Sequence, residues 1–301
     1  MQITLEHTNS SEIARELVLV RKASGSPAMD MVLTLIVVCD DETVADALHA
    51  ATTLSKEHPA RIIGVIIGKG SGAADLHAKI RVGSETSGES ILLRLSGRLV
   101  THAESAVLPL LLPDSPVVVW WPGQAPTDPS GDAMGALANR RLTDAEAARQ
   151  PVRHLRAVAR HYAPGDTDLS WTRLTPWRAL LAAALDQVRS PVTGGLIVAG
   201  SGNPAGVLLE SWLESRLGVH IRWRKVDSER IEQVVLETAE GDVTIARGAD
   251  GSASFSVPGS GARTVPLPTR ALAELLAEDL RRLDADAIYA STIRHMLKDQ
   301  T

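Results

Sequence analysis

Three kinds of residue in this chain carry binding or reactive chemistry, and each recurs in a pattern. The first is glycine at a strand-to-helix junction. An apolar run ends at Gly200, Ser201, Gly202 and Asn203 follow, and a helix opens at Pro204. Free amides at a helix start attract anions, which makes Gly200, Ser201, Gly202 and Asn203 a candidate anion-binding loop. The segment lacks Gly-Lys-Ser/Thr and is no Walker loop, and the spacing of Gly200, Gly202 and Gly206 only loosely resembles a dinucleotide fingerprint. A plain strand-to-helix turn accounts for it more simply. The second is arginine. Arg149, Arg153, Arg156 and Arg160 recur at helical spacing on one face, after the pair Arg140-Arg141. Guanidinium groups so grouped clamp carboxylates or phosphates bidentately, whereas the plainer reading is a solvated basic face partly neutralised by Asp144 and Glu146. The third is tryptophan beside arginine: Trp171 with Arg173, Trp177 with Arg178, and Trp223 between Arg222 and Arg224. Trp and Arg are the side chains most enriched at binding hot spots.

Other chemistry lacks its residues. The nine His show neither His-Glu-x-x-His nor His-x-His spacing, so no metal set is expected. No Gly-x-Ser-x-Gly elbow occurs, and Asp166 and Asp168 read as turn formers. No nucleophile, base and oxyanion donors stand together, and no cofactor fingerprint is complete. We therefore expect no catalytic residue, no metal and no cofactor. The lone Cys39 excludes an internal disulfide. At a strand end before Asp40 and Asp41, it reads as a small packed hydrophobe with a raised pKa.

The stretch that these residues depend on is 113–126. Pro116 and three valines favour extended backbone, Trp120-Trp121 follow, and Pro122-Gly123 ends the strand. Adjacent strand residues face opposite ways. One ring is thus expected to anchor the sheet and the other to be offered outward as a platform.

The remaining elements follow from periodicity. Residues 11–22 form an amphipathic helix. Residues 32–38 and 61–68 are buried strands joined by a helix over 42–57 that Asp40 caps, a parallel pair. Residues 76–82 alternate as a half-exposed antiparallel strand, 83–89 turn, and 91–95 is another strand. Thr101 with Glu104, and Thr143 with Glu146, read as capping boxes, the second opening the helix that bears the arginine stripe. Thr175-Pro176 opens a helix to about Val188, and 191–199, 204–217 and 220–226 form a β-α-β unit. Four short runs from 234 to 266 read as an antiparallel meander, and helices over 269–283 and 286–298 close the chain. The fold class is α/β with two domains. Residues 1–163 carry a mixed, partly parallel sheet and the Trp-Trp platform. Residues 164–301 have a β-α-β start, a meander and closing helices.

The chain has 301 residues, 44% hydrophobic and 22% charged, with a formal net charge of −5. This is a globular composition without a global basic field, so no nucleic-acid partner is expected. The longest apolar run is strand-sized and Met1–His7 lacks signal-peptide character, so we expect no membrane association and a cytoplasmic location.

Three motifs in order resemble the OpcA family, in its actinobacterial branch: LPLLLPDSPVVVWWPG over Leu108–Gly123, RRLTDA over Arg140–Ala145 and DLSWTRLTPWR over Asp168–Arg178. The resemblance covers nearly the whole chain. It implies a non-enzymatic assembly factor and allosteric activator that binds glucose-6-phosphate dehydrogenase in the oxidative pentose phosphate pathway. It also makes Trp120, Trp121, Arg140, Arg141, Asp144, Trp171, Arg173, Trp177 and Arg178 partner-binding candidates. The thiol control associated with the cyanobacterial branch is not available to a chain with Cys39 alone, mixed disulfides aside. The alternative function is a sugar-phosphate- or nucleotide-binding protein or enzyme that uses the Gly200–Gly206 loop.

Overall fold

The computed structural model describes residues 1–24, 31–83 and 88–298, so most of the turn expected at 83–89 lies outside the described residues. In chain order the elements are β1 (Gln2–Leu5), α1 (Ser10–Ser24), β2 (Leu33–Cys39), α2 (Val44–Leu54), β3 (Ala60–Ile67), β4 (Asp75–Gly83), β5 (Gly88–Ser96), α3 (Ala103–Val107), β6 (Val117–Trp121), β7 (Arg140–Thr143), α4 (Pro151–Ala159), β8 (Asp166–Asp168), α5 (Leu169–Arg173) and α6 (Thr175–Leu185). There follow β9 (Val192–Ala199), α7 (Pro204–Leu217), β10 (Ile221–Lys225), β11 (Ile231–Thr238), β12 (Gly241–Arg247), β13 (Ser252–Ser256), β14 (Arg263–Pro266), α8 (Leu272–Asp279) and α9 (Ala287–Lys298). The chain divides into two compact units, each made of non-contiguous segments. The first takes residues 1–144, 161–167 and 272–285, and the second 145–160, 168–271 and 286–301.

The first unit is built on an eight-stranded mixed sheet of order β1-β4-β5-β3-β2-β6-β7-β8. β5, β3, β2, β6 and β7 pair in parallel, while β4 and β1 add antiparallel strands. A row of β-branched residues in register (Val119, Ile36, Ile63, Ile91, Ile80) crosses the sheet on one face. Ile13, Leu17 and Val20 of α1 and Ala103, Ala106 and Val107 of α3 cover this row. The opposite face carries Trp120, Val37 and Gly64 in register, and α2 covers it so closely that a Cβ at Gly64 would lie 2.9 Å from the Leu48 side chain. Helices on both faces are what an apolar parallel sheet requires, and β2, β3 and β6 are buried almost throughout. Strand β4, expected to alternate, does so along its length.

The second unit holds a six-stranded sheet of order β10-β9-β11-β12-β13-β14. β9-α7-β10 is the expected parallel crossover, and β11 to β14 form the expected antiparallel meander. Asn203 caps α7 by accepting the Gly206 amide at 2.5 Å, and Gly218, in the left-handed region at φ 67°, ends it. The fold class is therefore α/β, with one mixed and one antiparallel-rich sheet.

Several local expectations give way to tertiary structure. Thr101 forms no capping box: it lies in a 3-10 segment over Gly97–His102 and donates to the Arg98 carbonyl. Nor does Thr143 open a helix. Residues 140–143 are strand β7, and the helix starts only at Pro151, whose missing amide suits a first turn. Asp166 and Asp168 lie buried in β8 and do serve the adjoining turns, Asp166 accepting the Ala163 amide at 2.7 Å and Asp168 the Ser170 amide at 2.9 Å. The two closing helices also part company, with α8 packing on α2 in the first unit and α9 on α7 in the second.

The reassignment of 140–143 has an energetic consequence. Arg140 is 3% exposed, and its Nε donates to Asp279 Oδ1 at 2.7 Å while Nη1 donates to the Asp284 carbonyl at 3.0 Å. It fastens the end of α8 to β7. Removing one member of a buried pair strands the other charge. Arg140→Ala is expected to cost about 3–5 kcal/mol in urea denaturation, and Arg140→Met with Asp279→Leu to recover most of that loss.

Candidate functional site at the carboxyl end of the parallel strands

Strand β2 has β3 on one side and β6 on the other, so the winding direction reverses at the β2–β6 pair. At such a point the loops leaving the strands' carboxyl ends diverge and bound a crevice. Here they are Asp40–Thr43 after β2 and 122–139 after β6. The two touch, since a Cβ at Gly123 would sit 3.5 Å from the Thr43 methyl.

Both loops are tied by their own carboxylates. Asp40 Oδ1 accepts from the Thr43 hydroxyl at 2.8 Å and the Thr43 amide at 2.9 Å. These bonds, the hydroxyl's first, hold the Asp40 carboxyl below the usual carboxylate range. Asp128 Oδ1 accepts from the Gly131 amide at 2.8 Å and the Ser130 hydroxyl at 3.0 Å, and Asp132 Oδ1 takes the Met134 amide at 2.9 Å. The Gly131 bond chiefly lowers the Asp128 carboxyl. Beneath the second loop lies Trp121, with Ala125 and Met134 in the same core cluster. Gly135 is required there: an added Cβ would come within 1.8 Å of the Pro129 carbonyl oxygen and 3.2 Å of the Trp121 ring. What remains outward is Gln124, Thr127, Gly131, Ala133, Ala136 and Asn139.

The tryptophans are placed otherwise than alternation suggested. Trp120 and Trp121 do face opposite sides of the sheet, but both sides are covered, so Trp120 is 0% and Trp121 4% exposed. Neither ring is offered outward. Arg141 is buried too. Its Nε is paired with Asp166 Oδ1, and its terminal nitrogens donate to the carbonyls of Ala138 at 3.0 Å and Pro164 at 2.6 Å. Asp144 is buried at the end of β7. Trp120, Trp121, Arg140, Arg141 and Asp144 thus converge on β6 and β7 as the frame under the loop.

In the second unit Trp171 and Trp177 are each 2% exposed. Trp171 donates Nε1–H to Asp286 at 2.8 Å, Arg178 lies 3.7 Å above its ring, and Arg173 is paired with Glu146 at 2.7 Å. Arg247 lies over the Trp177 ring at 5.5 Å. The Trp-Arg motif works inside the unit as cation–π stacking and α9 capping. In the arginine stripe, Arg149, Arg153 and Arg160 are exposed. At the glycine loop, Gly200 and Gly206 are set by packing: a Cβ would lie 1.9 Å from the Ser228 carbonyl oxygen and 2.5 Å from the Trp223 ring, respectively. Asn203 caps the helix and donates to the Glu229 carbonyl, leaving Ser201 and Gly202 exposed.

Spacing rules had suggested no metal set, yet His7, Asp75 and His77 come together. The available signal was Asp75-Leu-His77 on an alternating strand, which puts both polar side chains on one face. Hydrogen bonds from His7 and then His77 hold Asp75 below the usual carboxylate range.

Two family models match in succession. One describes the glucose-6-phosphate dehydrogenase subunit N-terminal domain and covers residues 51–160; the other describes that subunit's C-terminal domain and covers 164–293. The chain belongs to the OpcA family of glucose-6-phosphate dehydrogenase assembly proteins. Comparison of the OpcA-family chain with curated proteins found no match. Among solved structures it is similar to KijD10, a 3-ketoreductase from Actinomadura kijaniata, in complex with NADP and TDP-benzene. That likeness has TM-score 0.50 and 11% identity, covering 89% of this chain and 96% of that one. An oxidoreductase from Sinorhizobium meliloti is similar at TM-score 0.47 and 8% identity, over 89% of this chain and 96% of that one. At this identity the first likeness speaks to the fold alone.

The OpcA-family chain keeps its thiol at the carboxyl end of β2. Cys39 is 7% exposed and 3.8 Å from the Val65 carbonyl, and burial, with Asp40 and Asp41 adding, pushes its pKa up to about 12. Protonated at neutral pH, it is a poor nucleophile. Cys39 in the folded chain should resist iodoacetamide at neutral pH for hours and react promptly in denaturant, as intact mass would report.

Proposed function

We propose that this chain is a non-enzymatic assembly factor that binds glucose-6-phosphate dehydrogenase in the cytoplasm, favours its active oligomer, and thereby acts as its allosteric activator in the oxidative pentose phosphate pathway. The observation that carries this reading is the pair of successive family matches, both named for a subunit of that dehydrogenase. An activator shifts its partner only by binding one state more tightly than another, so it needs a surface that is preorganised. The loop over 122–138 meets that need. Asp128 and Asp132 tie it, Trp121 floors it, and Thr127, Ala133 and Ala136 face outward. In this reading Trp120, Trp121, Arg140, Arg141 and Asp144 shape the contact surface from beneath. Trp171, Arg173, Trp177 and Arg178 do the same service for the second unit. Immobilised loops bind with less ordering cost, which is how buried residues govern affinity without touching a partner.

The test is titration of purified dehydrogenase with this chain, following activity and complex mass together. Wild type should co-purify with the enzyme and raise its activity. Thr127→Arg and Ala136→Glu should weaken binding about tenfold or more, the effect of losing about 1.4 kcal/mol. Leu108→Ser, an exposed position before the amino end of β6, should bind as wild type. A second reading is a phosphate ligand at Gly200, Ser201, Gly202 and Asn203, supported by the exposed Ser201-Gly202 step before the helix N-terminus. Calorimetry with glucose 6-phosphate and with NADP separates the two, since a pure protein partner gives no binding heat with either.

A further inference from the structure

We propose that His7, Asp75 and His77 form a binding site for one divalent transition-metal ion of the zinc class. The site lies at the β1–α1 connection, within the first unit. Asp75 and His77, two residues apart on β4, project from the same face of the strand. His7 reaches them from the neighbouring connection, which the Thr8 amide pins to the Leu76 carbonyl at 2.9 Å. The His7 backbone is in the left-handed region, at φ 50°, where a side-chain-bearing residue is unfavourable by about 1–2 kcal/mol. That conformation directs its ring to the carboxylate.

The donor atoms are already gathered. His7 Nδ1 lies 2.9 Å from Asp75 Oδ1, and His77 Nε2 lies 2.9 Å from Asp75 Oδ2. The ring centroids are 4.9 Å apart, and the three potential ligand atoms lie within 4.8 Å of one another. A zinc ion held at about 2.0–2.2 Å by two imidazoles and a carboxylate sets its donors roughly 3.4 Å apart in a tetrahedron, so the hydrogen-bonded pairs open slightly to admit it. The ion takes the place of the protons that now bridge the pairs. Two nitrogens and one carboxylate oxygen suit a borderline cation, whereas magnesium and calcium favour all-oxygen shells. Three protein ligands leave a fourth position free. It adjoins a cleft of about 660 Å³ whose walls include Thr8, Asn9, Ser10, Ser96 and Ser105. Bound there, the ion clasps the β1–α1 connection to β4 and stabilises the folded chain in proportion to its occupancy.

The test is calorimetric titration of the chelator-stripped full chain with zinc chloride, paired with the visible spectrum of the chain with cobalt(II) alone. We expect one equivalent bound with micromolar affinity, and cobalt absorption of tetrahedral intensity. His7→Gln, Asp75→Asn and His77→Gln should each weaken binding at least tenfold, while His102→Gln and His220→Gln bind as wild type. Because the cobalt spectrum is read on the wild-type chain, it decides even if a variant fails to fold. An octahedral, water-like cobalt spectrum, or equal weakening in the His102 and His220 variants, would overturn the site in favour of scattered surface histidines.

Discussion

The burial of β6 on both faces is the constraint on which the rest of the first unit depends. A strand with β2 on one edge, β7 on the other and helices above and below can hold only side chains that need no water. Val117 to Val119 meet that requirement, and Trp120 and Trp121 become large fillers on opposite faces, Trp120 at the cost of a buried indole N–H without a hydrogen-bond partner among the described residues. The requirement spreads to β7. Arg140 and Arg141 pair in register with Val118 and Val119, so their charges leave water with them. Asp279 and Asp166 compensate those charges, together with carbonyls at Ala138, Pro164 and Asp284. Burying charge is costly unless it is paired and hydrogen-bonded, which explains why both guanidinium groups turn to carboxylates and carbonyls of their own unit.

Much of this was legible from sequence, and the exceptions have physical reasons. The apolar runs of β2 and β3, the alternation of β4, the β9-α7-β10 crossover and the meander all follow from periods of two and 3.6 residues. Trp120 and Trp121 were correctly split between faces, but the sequence does not say that both faces are covered. Arg140-Arg-Leu-Thr143 was misread as the approach to a helix because Thr143 and Glu146 mimic a capping box. Tertiary pairing with β6 outweighs that local signal, and the helix waits for Pro151. Arg61 and Arg21 converging on Glu89 is a further buried network that spacing does not reveal, since its members come from β3, α1 and β5. The separation of α8 from α9 is equally silent, because an amphipathic helix carries no label for the surface it covers.

For the candidate site, Trp120, Trp121, Arg140, Arg141, Asp144, Trp171 and Trp177 are buried, and in the proposed reading they frame the contact surface. Trp121 carries the loop over 122–138, Asp128 and Asp132 fix it, and small side chains such as Ala133 and Ala136 face outward. In the proposed reading, the tied loop at the β2–β6 reversal is the surface that distinguishes two states of the partner, and the buried residues act by setting the backbone conformation the loop presents.

In the proposed function the carboxyl-end loops of β2 and β6 meet the dehydrogenase. Hydrogen–deuterium exchange of this chain, alone and with a saturating amount of the enzyme, tests it most directly. Binding should slow exchange within 122–138 and 40–43 and leave residues 108–115 before β6 unchanged. Protection confined to other segments, with both loops exchanging as in the free chain, would contradict it.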